Sequence, residues 1–434
     1  MNTRIKTGLK GLVITIVLFV AIVLVINTSP FDEELNPEIK KIMQDAPMPI
    51  VKGNAYYALM GINAKKDKDI VQTGYELIIL YQENLKRGND ELTSKDYQEI
   101  LGVKNSIDSN WKTEFDFCDA RNELNCLSHS SQKITTEFLN NPRLQTLLKR
   151  YDKILQMNTF DNFIHSTWNT PLASYGVMLN LSQIKLASAY QPQNRSGFLL
   201  NLYKDMAFWK MHLNQGKYLI DKMIAFAGIG RDLHYLSEYI RSYEIDESDH
   251  SLIKDILTPL SKQEIDLSQS FIAEARSMFN TSKTMDSGSS LLENLFFQPN
   301  ATSNTYYERQ LKLQLQQSKV SIAELIKQRK SNNRVDKSGF KLHYLYNFIG
   351  KTLLDYRSCA CSNYIVRGHD LINFFKMVNI QFQAKLSDAQ TVQQLLLKPN
   401  NHNPINNKPF DYNEESKLLQ FDCLDNHLQC QIKL

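Results

Sequence analysis

Residues 196–243, SGFLLNLYKDMAFWKMHLNQGKYLIDKMIAFAGIGRDLHYLSEYIRSY, decide the fold class. Leu199, Leu202, Met206, Trp209 and Leu213 recur at the three- and four-residue steps of one helical face. Leu219, Ile220, Met223 and Ile224 open a second stripe, which Leu233, Leu236 and Ile240 resume. Asn214-Gln215-Gly216 interrupts the pattern between them, as the connection of an antiparallel helical hairpin does. Apolar faces this broad need several neighbours to cover them. The stretch therefore predicts two long helices inside a mostly α-helical body.

The same period continues on either side. Residues 69–88 place Val71, Tyr75, Leu77, Ile78 and Tyr81 on one helical face. Residues 140–157 do so with Leu144, Leu147, Leu148, Tyr151 and Leu155, where Asn141 can cap and Pro142 can take the first helical position. Helical patterns return over 306–330 and from about Phe340, and residues 364–386 predict a last long helix. Residues 281–300, TSKTMDSGSSLLENLFFQPN, read as a loop. From residue 398 Asn and Pro accumulate; LLQFD (418–422) and LQCQIKL (428–434) then alternate in the period of strands, with Asp425-Asn426 placed to turn. A small C-terminal β-hairpin is expected there. No fixed-period repeat supports a solenoid.

Composition agrees. The chain has 434 residues, 42% hydrophobic and 22% charged, which suits a folded protein. Only 16 glycines and 12 prolines favour long helices over a many-turned β-sandwich. Fifty basic against 46 acidic residues leave a net charge of +4, so no strong basic field marks a nucleic-acid partner.

The N-terminus has the form of a membrane signal. Arg4, Lys6 and Lys10 precede an apolar run from Leu12 to Ile26, broken only by Thr15, and Asp32, Glu33 and Glu34 follow. The run is shorter than the ~20 residues that cross a bilayer. Gly8, Leu9 and Gly11 before it, with Asn27 to Ser29 after it, extend the span to residues 8–29. Basic residues ahead of the span favour a cytoplasmic N-terminus and an exported body. A cleaved signal peptide competes, but Val25-Ile26-Asn27-Thr28-Ser29 holds no small-x-small site. A buried helix of a cytosolic protein is the remaining alternative. The expected organisation is a cytoplasmic tip and transmembrane signal-anchor (1–30), an exposed linker (31–50), a helical body (51–395), and a Pro/Asn-rich segment with the hairpin (396–434).

Six cysteines, Cys118, Cys126, Cys359, Cys361, Cys423 and Cys430, form an even count beyond an export signal, the pattern of disulfides in an oxidising compartment. Cys118 with Cys126, and Cys423 with Cys430, would each close a short loop. Cys359-Ala360-Cys361 would make a strained ring, so redox, metal-binding and distant-pairing readings stay open for it. The paired Cys-x2-Cys steps of a zinc ribbon do not occur. His427 between Cys423 and Cys430 reads as a surface residue.

No His-Glu-x-x-His, Gly-x-Ser-x-Gly or Gly-x4-Gly-Lys motif occurs, so no catalytic, cofactor-binding or metal-ligating residue is assigned. Gly228-Ile229-Gly230 reads as close helix packing. His369-Asp370 lie about a hundred degrees apart on a helix and do not form a pair; Asp370 reads as a first-turn acid matched to the helix dipole. Arg231, His234 and Glu238 read as a surface ion-pair row.

Two segments carry a resemblance. Phe208-Trp209, Leu219 to Ala225 and the following Arg231, together with NAYYALMGINA (54–64), resemble uncharacterised proteobacterial proteins with a single N-terminal anchor. The tail from Asn403 to Tyr412 resembles the Asp-Pro-x-x-Gly-x-Pro-x-x-Tyr ending of anchored bacterial envelope proteins, through Pro404, Pro409 and Tyr412. Asn403 and Asn407 stand where that pattern has Asp and Gly, and the upstream Tyr-Pro step is missing. The resemblance implies a bacterial inner-membrane protein with a periplasmic body, and it assigns no activity. The expected function is that of a noncatalytic envelope scaffold or adaptor with a protein partner and no cofactor. A periplasmic hydrolase acting on envelope polymers is the alternative, and a thiol-redox role for Cys359 and Cys361 is a third.

Overall fold

A computed structural model describes the chain except residues 1–2, 45–47, 90, 103–117, 121–122, 163–166, 192–193, 289–295, 332–341, 357–360, 388–390 and 426. Side chains are also undescribed at 3–9, 29, 284–288, 330–331, 342–343 and 356. Helix α1 (Thr3–Ile26) carries exposed apolar side chains on every side between Leu12 and Val25. Among the described residues no helix is long and apolar enough to cross a membrane, and the side chains of α1 are described only from Lys10.

The segment after α1 is docked at a few points, while most described residues of the expected linker, 31–50, are exposed. Asn27 is fully buried; its Nδ2 donates to the Leu345 carbonyl at 2.7 Å, and its Oδ1 accepts from Asn347 N at 2.8 Å. The Asp32 carboxylate accepts from the Asn300 and Ala301 amides, both at 2.9 Å. It thereby supplies the acceptor that the first turn of the helix Pro299–Tyr306 lacks from its own N-cap residue. Ile39 is fully buried, and the Ile42 carbonyl accepts from Arg276 Nε. Polar side chains that meet orphan backbone groups explain why this charged stretch folds back.

Helix α2 (Ala55–Met60) is buried at every residue and packs on α3 (Ile70–Lys86). A Cβ at Gly74 would lie 1.9 Å from the Tyr57 carbonyl oxygen, so only glycine allows this approach. Asp69 caps α3 by accepting from Val71 N and Gln72 N. Short α4 (Cys126–Lys133) precedes α5 (Pro142–Ile154), which starts as its sequence predicts: Asn141 accepts from Arg143 N and Leu144 N, with Pro142 in the first turn. Then come α6 (Tyr175–Ala189), α7 (Arg195–Gln215), α8 (Leu219–Ser242), α9 (Glu247–Ile256), α10 (Ser268–Gly288) and, after shorter helices, α11 (Cys361–Leu386).

The hairpin α7–α8 is the centre, with α6, α9 and α11 packed around it. Trp209 is fully buried against Gly228, where a Cβ would lie 2.5 Å from the indole. Gln381 of α11 donates to the Ser237 and Lys433 carbonyls at 3.1 and 3.0 Å, pinning α8 and the last strand together. Residues 281–288 continue α10 and are not the start of a loop. The Thr281 and Ser282 hydroxyls satisfy themselves on the Ser277 and Met278 carbonyls four residues back, which lets polar residues sit buried in a helix.

The C-terminus forms three antiparallel strands, one more than the expected hairpin. They are β1 (Asp411–Asn413), β2 (Leu418–Gln420) and β3 (Gln431–Lys433), in the order β1-β2-β3. Leu419 faces Ile432 across the β2–β3 pair, and both are buried. Before the sheet, Asn407 has φ 55°. That left-handed conformation suits glycine and, among other residues, asparagine best, which accounts for Asn407 where the resembling tail has Gly.

Candidate functional site

Asp205 on α7 is the hub of a buried polar network. It has no exposure, and its Oδ1 accepts from Tyr151 OH at 2.6 Å. Its Oδ2 accepts from Trp209 Nε1 at 3.1 Å, from Arg231 Nη2 at 2.8 Å and from the Ser182 hydroxyl. One carboxylate thus ties α5, α6, α7 and α8. Arg231 also donates to Asp232 Oδ1 at 2.9 Å and to the Leu179 carbonyl at 2.8 Å. Burial, then the neighbouring Asp205 charge, pushes the Asp232 carboxyl well above its ordinary range.

Arg231, His234 and Glu238 do not form a surface row. All three are buried or nearly so, because their partners arrive from distant segments. Glu238 accepts from Leu127 N at 2.9 Å and Ser128 N at 2.8 Å at the start of α4, whose own N-cap residue, Asn125, makes no capping bond. His212 lies under the first turn of α8, 3.7 Å from Asp221 and enclosed by the rings of Phe160, Tyr175 and Trp209. Asp221 is engaged by Tyr175 OH and by Tyr218 N at 2.8 Å.

Two cavities flank α6. The larger, about 800 Å³, is lined by Tyr56, Tyr97, Trp168, Tyr175, Tyr218 and Asp221 among others, with the exposed Leu172 on its rim. The smaller, about 500 Å³, lies between α6 and α8 and is lined by Leu179, Gln183, Met223, Arg231, His234 and His427 among others. Asn180 lines both, so the two cavities lie side by side along α6.

Both local disulfides exist and both border the smaller cavity. Cys118–Cys126 and Cys423–Cys430 span Cα separations of 5.5 and 5.8 Å. Cys118 lines that cavity, as do His427 and Leu428 from inside the second loop. Cys361 is also disulfide-bonded and is buried, whereas Cys359 lies outside the described residues. Among the described residues there is no free cysteine and no metal-ligand cluster.

Asp370 is not a first-turn acid. It sits buried in the middle of α11 and accepts from the amides of Leu424, at 3.0 Å, and Asp425, at 3.1 Å, bracing the Cys423–Cys430 loop. Burial pushes its pKa up to about 7. Nor is His427 a surface residue, its side chain being 11% exposed. Burial lowers its pKa to about 4, and that of His234 to about 3. The Nε2 atoms of both have no hydrogen-bond partner among the described residues.

The chemistry follows from these groups. Asp205, Asp221 and Glu238 are engaged by internal donors, and the imidazoles at the smaller cavity are held neutral. Such walls suit hydrogen bonding to neutral polar groups beside apolar contact, and they do not assemble an exposed acid–base pair from these residues. The spacing of Asp205 and Trp209, one turn apart, and the adjacent Arg231-Asp232 pair are parts of this network that the sequence itself places together.

No family model, characterised protein or solved structure matches this chain.

Proposed function

We propose that the protein is a noncatalytic envelope adaptor, anchored through residues 8–29 in a bacterial inner membrane. Its body stands in the periplasm and grips an extended segment of a partner protein along α6. The observation that carries the reading is the pair of cavities that share Asn180 in their linings. The larger offers an apolar and aromatic surface and the smaller a more polar one, and Asn180 supplies both a donor and an acceptor that a peptide backbone can use. The exposed apolar sides of α1, the two disulfides and the resemblance to anchored proteobacterial proteins support the location.

Leu172, 59% exposed on the cavity rim, is the place to test it. A photoreactive side chain at position 172, activated in intact cells, is expected to give one discrete protein adduct, lost when Asn180→Trp fills the junction. Absence of any protein adduct would count against the adaptor reading. A hydrolase of envelope polymers is the second reading, favoured by Tyr175 and Asp221 lining the larger cavity. It requires release of soluble fragments from cell-wall polymer by the purified protein, and loss of that release in Asp221→Asn.

A further inference from the structure

Helix α1 does not lead into a tether. Beyond the bonds of Asn27 to Leu345 and Asn347, the Asn27 carbonyl accepts from Gln298 Nε2, and Asn347 Nδ2 donates to the Thr302 hydroxyl at 2.9 Å. Asn27, Gln298, Thr302 and Asn347 are all buried. This polar lock joins the last turn of α1 to two segments of the body, so the body takes a fixed position at the helix exit.

The residues at that exit are aromatic. Leu24 and Val25, the last exposed apolar side chains of α1, lie within one turn of Asn27. Tyr344, Tyr346 and Phe348 flank Asn347 in the chain, and Tyr346 OH donates to the Phe31 carbonyl at 3.2 Å. The Tyr344 and Phe348 rings meet edge to face at 6.4 Å. Phe31 is 55% exposed and Phe348 45%. Lys351 Nζ lies 5.2 Å from the Tyr346 ring centre. Three nearby acids are engaged, Asp32 by the Asn300 and Ala301 amides, Glu33 by Asn304 Nδ2, and Asp355 by Tyr344 OH, while Glu34 is exposed.

Aromatic rings with a basic side chain, set where an apolar helix ends, have the chemistry of the layer between hydrocarbon and water. We infer that this face of the body, Phe31, Tyr344, Tyr346 and Phe348 with Lys351 beside them, is a lipid-binding surface lying in the phospholipid headgroup layer. The body is clamped on the bilayer at a fixed angle and is not suspended above it. The inference rests on the reading of α1 as a membrane anchor, and its occupant is lipid because the face is held at the exit of α1, whose apolar side chains are exposed up to Val25.

Four single variants test it: Phe19→Trp within α1, Phe31→Trp and Phe348→Trp on the face, and Leu397→Trp at a 72% exposed position that is not part of the face. Each full-length protein is reconstituted in vesicles of phosphatidylcholine and phosphatidylglycerol, with bromine either high or low on the acyl chain. The emission added over the unsubstituted protein is then followed. The added emission of Phe31→Trp and Phe348→Trp is expected to fall at least twofold with the high bromine. That of Phe19→Trp should fall with the low bromine, and Leu397→Trp should be unaffected. If Phe19→Trp is quenched but both face variants are not, the body stands off the bilayer and the inference is overturned while the anchor survives. Blue-shifted but unquenched face variants mean that protein covers the face, which also overturns it. If Phe19→Trp is itself unquenched, the anchor reading fails and the inference goes with it.

Discussion

Asp205 was invisible as a hub in the sequence because three of its four partners, Tyr151, Ser182 and Arg231, come from other helices. Spacing along one helix reports only Trp209. Arg231 keeps Asp232 when Asp205 is removed, but the buried Tyr151 hydroxyl and Trp209 indole N–H lose their acceptor, at about 1–3 kcal/mol each. Asp205→Ala should therefore lower unfolding stability by at least about 2 kcal/mol in urea, and a loss below about 1 kcal/mol would mean that the network is not holding these helices. His234 makes a second case. Its pKa is depressed to about 3 by burial, so the stability from its neutral form is complete above its ordinary value near 6.5 and is lost as pH falls below it. At pH 5 the cost is about 2 kcal/mol. His234→Phe should remove that acid sensitivity, seen as a smaller drop in unfolding free energy between pH 7 and pH 5 than in the unsubstituted protein. Asp370 runs the other way. With its pKa raised to about 7, the stability from its protonated form is complete below about 4 and is lost as pH rises through 7. Relative to the unsubstituted protein, Asp370→Asn should gain thermal stability from pH 5 to pH 8; an unchanged difference would show that Asp370 is solvated.

At the scale of elements the apolar period was a faithful guide. It located α3, α5, α7, α8 and α11, and Asn141-Pro142 marked the start of α5. Where it failed, backbone groups were satisfied in ways spacing does not reveal. Thr281 and Ser282 bond to carbonyls within α10, the Asp32 carboxylate caps a helix near residue 300, and β1 adds a third strand from a stretch too short to alternate. Glycine at 228 was legible as a packing position but its neighbour was not. Gly228→Ala would drive a methyl into the Trp209 ring, against which neither helix can easily retreat. Overpacking of this kind costs about 1–3 kcal/mol, and the variant should unfold earlier in urea by that amount with blurred indole signals. An unchanged transition would show that α7 and α8 slide freely.

For the whole molecule, the sequence showed an apolar N-terminal helix and a helical body but not how they join. The join is polar and buried, made by Asn27 with Gln298 and Asn347, each more than 270 positions from it, which no local pattern relates. The same holds for the smaller cavity. Its walls come from α6, α8, α11 and two disulfide-closed loops, and of that arrangement only the local cysteine pairs were legible as contacts. Those cysteines also test the location of the body, on which the adaptor account depends. The direct measurement is alkylation of free thiols in intact cells, followed by mass mapping without reduction. The account predicts Cys118–Cys126 and Cys423–Cys430 as bonded, unalkylated pairs in the membrane fraction. Alkylation of all four in unreduced cells would contradict it, placing the body in a reducing compartment and removing the case for an exported, anchored adaptor.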